Sequence, residues 1–281
     1  MSSAALRGHL RMLAELGKIV GAMRNLAYAE VQRLNRLTQS QARAESVLRQ
    51  ALAESHGGAS SSKGRPLWLV IGAERGFCGG FNERLQAALP ALCTRYPDAV
   101  WFVSGDRLSQ NTLPLPLSFE ALPGCNTAEE AADCIEAWLD MLWPRWSDSE
   151  PGTELFVLHH AEHDLCEQRL LPLPTLPPPS PGPPPLRTLP DAVLRPKLQT
   201  EWLRVALLGA LFQSLQQENR WRLAQMQRAQ DHLDDTGTRL KRAYFRQRQA
   251  DITSELETLM SSLDVGLAPP GASWHRHAGS S

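Results

Sequence analysis

The 281-residue chain carries 29 Lys or Arg against 30 Asp or Glu, and 42% of its residues are hydrophobic, enough for one or two domains with a real core. No run approaches the roughly 18 consecutive apolar residues of a membrane span, and the opening MSSAALRGHLRMLAEL lacks the apolar stretch of a secretory signal, so a soluble protein is expected. Five cysteines, Cys78, Cys93, Cys125, Cys134 and Cys166, are odd in number and form no CxxC pair, which argues against a disulfide framework or zinc ribbon and fits a reducing cytosol.

Proline draws the boundaries, because it removes a backbone donor and clashes with the preceding helical turn. Nineteen of the 21 prolines lie between Pro66 and Pro196, and Pro269 and Pro270 follow much later. Residues 1–56 are therefore free to form a long helix. Stepping by three and four from Leu13 gives Leu13, Leu16, Val20, Met23, Ala27, Glu30, Leu34, Leu37, Gln41, Ala44, Leu48 and Ala51, of which ten of twelve are apolar, a heptad seam for a coiled coil. The run HGGASSSKGRP ends it.

Residues 66–171 read as a small Rossmann-like α/β domain. PLWLVIGA (66–73), AVWFVSG (99–105) and TELFVLHH (153–160) are apolar runs of strand length, and helical patterns at 82–96 and 128–146 lie between them. Continuous apolar strands alternating with helices argue for a mostly parallel sheet with helices on its faces. Residues 172–196 are a proline-rich connector suited to polyproline II.

Residues 197–264 then predict a second long helix. From Lys197 to Leu263 there is no proline and there are two glycines, Gly209 and Gly237; at 1.5 Å per residue such a helix is about 100 Å long and must project from any domain of this size. Leu203, Leu207, Leu208, Leu211, Phe212 and Leu215 make a broad apolar face, while Ile252, Leu256, Leu259 and Leu263 make a narrower seam. Between Arg220 and Arg248 lie eight Lys or Arg and three Asp. Residues 265–281 form a flexible tail.

Two stretches invite chemistry. GAERGFCGGFNERL (72–85) is a glycine-rich turn between a strand and a helix, the setting of many phosphate sites. It has neither a GK[ST] nor a GxGxxG pattern, so a turn for close strand–helix packing is the favoured reading. HHAEHDLC places His159, His160, His163 and Cys166 close together, but adjacent histidines on a strand point to opposite faces, which disfavours a metal site. No Ser/His/Asp constellation or placed carboxylate pair accompanies them. No catalytic apparatus, cofactor or metal is expected.

Three motifs in order carry a resemblance. GKIVGAMRNLAYAEVQRL (17–34), ERGFCGGFN (74–82), and ENRWRLAQMQRAQ (218–230) with RQADITSELETLM (248–260) resemble the gamma subunits of F-type ATP synthases, the central rotor stalk. The resemblance implies an antiparallel coiled coil of N- and C-terminal helices with the α/β domain at its foot. It implies a non-catalytic subunit whose rotation couples ion flow to ATP synthesis or hydrolysis in the ring of alpha and beta subunits. Its further partners would be the epsilon subunit and the membrane c-ring, without membrane insertion or nucleic acid, on the cytoplasmic face of a bacterial inner membrane. Met23 falls on the family's coupling methionine, and Arg222, Gln249 and Thr253 fall on positions that touch the catalytic ring, Arg222 by pairing with beta-subunit carboxylates. The proline-rich segment and the C-terminal tail depart from the family pattern. Two rivals follow from the residues alone: a basic coiled-coil scaffold or nucleic-acid binder using Arg220–Arg248, and a nucleotide-dependent enzyme using the turn at Gly76–Gly80.

Overall fold

The computed structural model describes residues 3–55, 64–110, 118–147, 153–162, 164–173, 175–178, 186 and 188–266. Two long helices, α1 (Ser3–Glu54) and α5 (Asp191–Gly266), bracket an α/β segment in the order β1 (Leu67–Ile71), α2 (Phe81–Arg95), β2 (Val100–Ser104), α3 (Asp106–Ser109), β3 (Phe119–Leu122), α4 (Ala131–Ser147), β4 (Leu155–His160) and β5 (Leu165–Leu171). The chain divides into two compact units, one of residues 20–228 and a smaller one joining the residues up to Ile19 with those from Ala229 onward.

In the larger unit the sheet runs in the order β3-β2-β1-β4-β5. The first four strands are parallel, and β5 pairs antiparallel with β4. All five residues of β1 are buried, as a parallel strand covered on both faces requires. One face packs on α2 through Trp68, Val70, Phe81, Leu85, Leu89, Trp101 and Val103. The other packs on α4 and the two long helices through Leu69, Ile71, Phe102, Trp138, Val157, Leu207 and Leu211. The three apolar runs seen in the sequence are β1, β2 and β4. The four-residue β3 and the charged β5 were not anticipated: β5 lies at a sheet edge, carries Glu167, Gln168 and Arg169 in succession, and has no long apolar run.

α1 and α5 run antiparallel in both units. In the larger one Arg24 Nη1 donates to Gln227 Oε1 at 3.3 Å, Gln216 bonds Asn35, and Gln41 Nε2 donates to Val205 O at 2.9 Å. In the smaller one Arg7 Nη2 donates to the Tyr244 hydroxyl at 3.0 Å, its guanidinium lying 5.7 Å from that ring. Part of the expected heptad seam is shifted by one residue. The column Leu13, Val20, Ala27, Leu34, Gln41 and Leu48 is covered, and of its expected companions Met23, Glu30, Leu37 and Ala51 are half-buried, but Leu16 and Ala44 are exposed while the residues after them, Gly17 and Glu45, are half-buried, and Val31 and Leu52 are buried outright. Val31 and Leu52 are buried whereas Leu16 is 41% exposed. The first column thus plays the d role, with its partner four residues later; counting apolar residues favoured Leu16 because the true seam position there is a glycine.

Both boundaries of α5 differ from expectation. α5 begins at Asp191 rather than 197, so the proline-rich connector is shorter, and Pro196 lies inside the helix. Only one intrahelical bond is forfeited by its missing N–H, and the preceding Arg195 is anchored. Its Nη1 donates to Ser55 O at 2.8 Å and Ser55 Oγ at 3.1 Å, placing a cation on the carbonyl end of α1 where the helix dipole favours one. α5 also continues to Gly266, past the expected end at 264; residues 267–281 of the expected tail, and much of the proline-rich stretch (174, 179–185 and 187), lie outside the described residues. Three positions of the expected apolar seam after residue 251, Ile252, Leu256 and Leu259, are 46–60% exposed, with Met260 beside them at 68%; the Leu263 side chain lies outside the described residues. Among the described residues, the α1 side chains at the start of the helix meet α5 at Leu240, Ala243 and Gln247, before these positions.

Two glycines of α5 should respond oppositely to alanine. A Cβ on Gly209 would lie 2.3 Å from Gln41 Nε2 and 2.8 Å from its Cδ, whereas one on Gly237 meets nothing within 4 Å. Urea denaturation is expected to show Gly209→Ala destabilising by about 1–3 kcal/mol through overpacking and loss of the Gln41 hydrogen bond. Gly237→Ala should stabilise by up to about 1 kcal/mol through helix propensity.

Candidate functional site: the glycine-rich turn on the long helix

The turn leaving β1 is built from close approaches. Gly72 faces Leu108, whose side chain would lie 2.5 Å from an added Cβ. Ala73 N–H donates to Asn82 Oδ1 at 3.0 Å, tying the strand exit to the start of α2. Glu74 Oε2 accepts the Asp106 N–H at 2.8 Å and lies where a Cβ on Gly124 would be. Phe77, at φ 65°, and Gly79, at φ 61°, supply the left-handed steps that reverse the chain. Phe77 remains 65% exposed.

In open α/β sheets ligands bind outside the carboxyl ends of the strands, where the strand order reverses. Here that place lies beside the ends of β1 and β4, and α5 fills it. The Trp221 ring would lie 3.5 and 3.6 Å from Cβ atoms added to Gly79 and Gly80, with the Arg84 guanidinium 5.7 Å from its centroid. Arg222 Nε donates to Gly76 O at 3.4 Å. The glycines therefore admit an indole where a nucleotide loop admits phosphate, and the glycine-rich stretch is a packing turn.

Beneath the turn lies a buried ion pair. Arg222 Nη2 donates to Glu218 Oε1, one helical turn earlier, and Nη1 donates to Asn219 Oδ1 at 2.9 Å. Both charged residues are buried, so each depends on the other for solvation. Burial pushes the Glu218 carboxyl up to about 7; the charge and hydrogen bond of Arg222 oppose the rise and the Glu74 charge adds to it. Cys78, next to this pair, is pushed up to about 11, by burial first and then by Glu218.

Of the four residues singled out from the sequence, Met23 and Arg222 belong to the larger unit and Gln249 and Thr253 to the smaller. Met23 is half-buried on α1. Gln249 and Thr253 are exposed on one face of α5, the Thr253 hydroxyl donating to Gln249 O at 3.0 Å. Arg222 is buried and bonds the Glu218 carboxylate of the same helix. Glu218, Trp221, Glu74 and Phe77 were missed. The i,i+4 spacing of Glu218 and Arg222 was the available signal, but an exposed pair has the same spacing.

The histidine cluster is structural where it is described. His160 Nε2 lies 2.9 Å from Phe81 O and its ring stacks on Phe81 with centroids 3.9 Å apart. Burial lowers it to about 4 and lowers His159 as well. Cys166 lies across from His159 on β5. His163 lies outside the described residues, and among those described no group of three or more His, Cys, Asp or Glu is placed to hold a metal. The five cysteines are free thiols.

A family model described as ATP synthase matches residues 2–264. The chain belongs to the ATP synthase gamma-subunit family. It is a central rotor-stalk subunit. Its fold is similar to a chain of the Euglena gracilis mitochondrial ATP synthase OSCP/F1/c-ring structure in rotational state 3, with a TM-score of 0.65 and 14% identity, covering 98% of this chain and 99% of that one. A chain of the Euglena gracilis rotor in rotational state 1 gives 0.62 at 15% identity over 89% and 98%. One from the Tetrahymena thermophila mitochondrial central stalk/c-ring gives 0.51 at 13% identity over 75% and 99%. A search of curated protein sequences finds no match. As a stalk component the subunit is a peripheral part of a membrane-associated complex, and no helix among the described residues is long and apolar enough to cross a membrane.

The raised carboxyl of Glu218 fixes the sign of one pH effect. Its ordinary value is 4.5 and its folded value about 7, so between these the folded chain binds more protons than the unfolded one. Its contribution to stability is full below about pH 4.5 and is lost as pH rises through 7. Unfolding free energies measured from pH 5 to 8 should fall more steeply for the native chain than for Glu218→Gln, by on the order of 2–3 kcal/mol across that range.

Proposed function

We propose that this subunit couples ion flow through a membrane c-ring to ATP synthesis or hydrolysis in a ring of alpha and beta subunits, and that it is itself non-catalytic. The observation that carries this reading is the end of α5. A long helix with Ile252, Leu256 and Met260 exposed on successive turns has the form of an apolar stripe awaiting a partner surface. A sleeve of partner subunits around it supplies that surface, and the reading is supported by the similar chains of the Euglena and Tetrahymena structures, which belong to OSCP/F1/c-ring and central stalk/c-ring assemblies. The filled crevice at the turn supports a non-catalytic role, since Trp221 occupies the position of a ligand.

Each orientation of the stalk stabilises different conformations of the surrounding subunits, and only such differential contact shifts their nucleotide affinity. Met23 on α1 and Gln249 and Thr253 on α5 are the proposed contact residues, the latter two sharing the exposed face that bears Ile252 and Leu256. Arg222 serves the contact from within, by holding the turn. The epsilon subunit is a further proposed partner at the foot, and the proposed location is the cytoplasmic face of a bacterial inner membrane. No contact in this scheme uses nucleic acid.

Co-expression with the alpha and beta subunits encoded beside it should yield a complex with one copy per three alpha–beta pairs and an ATPase rate different from that of the ring alone. A chain ending at Ile252 should lower coupled ATP synthesis or the yield of complex. Undiminished coupled synthesis in that truncated complex would overturn the proposed contacts.

A further inference from the structure

We propose that Glu218 is a positioning residue for coupling: by holding the Arg222 guanidinium on the carbonyl of Gly76, it fastens the glycine-rich turn to α5, so that the shaft helix and the α/β domain carry load as one body. The proposal rests on the rotor reading. A stalk transmits torque only as well as its weakest internal joint, and the turn at 74–80 is the irregular connection between β1 and α2. Its hold on α5 consists of the Trp221 ring over Gly79 and Gly80, the Arg222 Nε donation to Gly76 O, and the burial of Cys78 close by. Arg222 can reach the turn because Glu218 and Asn219 fix the other two guanidinium nitrogens. A planar fork held on two sides has few rotamers left, and its third donor is then pre-aimed at Gly76.

The choice of a buried carboxylate has a cost that a merely structural joint avoids. An apolar pair of the same size would pack there without desolvating two charges. What the pair adds is direction, and sensitivity to protons. The charges bearing on Glu218 are Arg222 on its own helix and Glu74 and Arg75 on the turn, and Glu83 of α2 acts on the neighbouring Cys78. Opening the joint would solvate the carboxyl and return it toward 4.5, so protons favour the closed joint and rising pH loosens it.

Cys78 is the reporter, since it is 4% exposed in the turn. In the full-length chain at pH 6.5, Glu218→Ala should raise the rate at which Cys78 is labelled by a maleimide, read by mass spectrometry of its peptide, by at least tenfold. Glu218→Gln, which retains a hydrogen-bond acceptor for Arg222, should stay within about threefold of the native rate. Corrected for thiolate fraction, the native rate should climb from pH 5.5 to 8 while that of Glu218→Gln stays flat. In the assembled complex Glu218→Ala should hydrolyse ATP with several-fold fewer ions moved per ATP. Should Glu218→Ala fail to fold, Arg222→Lys, which keeps the charge but loses the fork, is expected to raise Cys78 labelling alike. Unchanged labelling in a folded Glu218→Ala or Arg222→Lys chain overturns the joint. Raised labelling with unchanged ions per ATP overturns its role in coupling. If the native chain fails to join alpha and beta subunits, the rotor reading fails instead, and the labelling result still decides the joint.

Discussion

The larger unit depends on one helix being buried over most of its circumference. Between Trp202 and Asn219 the α5 residues Trp202, Leu203, Ala206, Leu207, Ala210, Leu211, Phe212, Ser214, Leu215, Gln217, Glu218 and Asn219 are all buried. Gln41 of α1 reaches Val205 O on one side, Ser214 Oγ donates to Ile71 O of the sheet at 3.4 Å on another, and Arg204 of α5 forks onto Glu136 of α4. A helix so enclosed is held against rotation and sliding by its neighbours. Its small residues decide how closely its neighbours approach, and its polar residues have to find partners inside the protein.

That enclosure explains what became of the Rossmann-like crevice. The sheet retains the strand order and the glycine-rich exit that elsewhere frame a dinucleotide, but the helix that closes the core also reaches the mouth of the crevice. An indole, a guanidinium and the Glu74 carboxylate meet the groups that a phosphate would otherwise meet. The architecture of a binding fold has been turned into a mount, and the glycines serve the same geometric purpose, close approach, toward a different neighbour.

Much of this was legible in the sequence, because the long helices announce themselves through the distribution of proline, and β1, β2 and β4 through their unbroken apolar runs. The rest failed for identifiable reasons. The seam of α1 was partly misplaced because Gly17 and Glu45 hold true seam positions while Leu16 and Ala44, one residue earlier, look better by hydrophobicity alone. The start of α5 was set too late because Pro196 is a strong breaker in isolation and Arg195 offsets it only in the folded chain. For the site, the glycine-rich turn is legible in the sequence, and its glycines lie close to Trp221. Its true neighbours, Trp221 and the Glu218–Arg222 pair, lie about 140 residues away in the chain, and nothing local to either stretch reveals the meeting. Whether Met23, Gln249 and Thr253 meet another subunit is likewise a property of surfaces beyond this chain.

The two ends of α5 differ in a way that sets an order of events. The stretch from Trp202 to Asn219 is enclosed, the middle leans on α1 along a thin seam, and the last described side chains, from Ile252 to Ser261, are exposed. Helix alone is marginal in water without tertiary burial, so the backbone hydrogen bonds of α5 cannot share one stability. On that ground the helix should open from its C-terminal end inward, and a protease acting on the isolated chain would shorten it stepwise toward the last residues that touch α1, leaving the α/β core whole. A surrounding sleeve would protect that same stretch, making susceptibility to cleavage there a direct gauge of how much of the chain stands assembled.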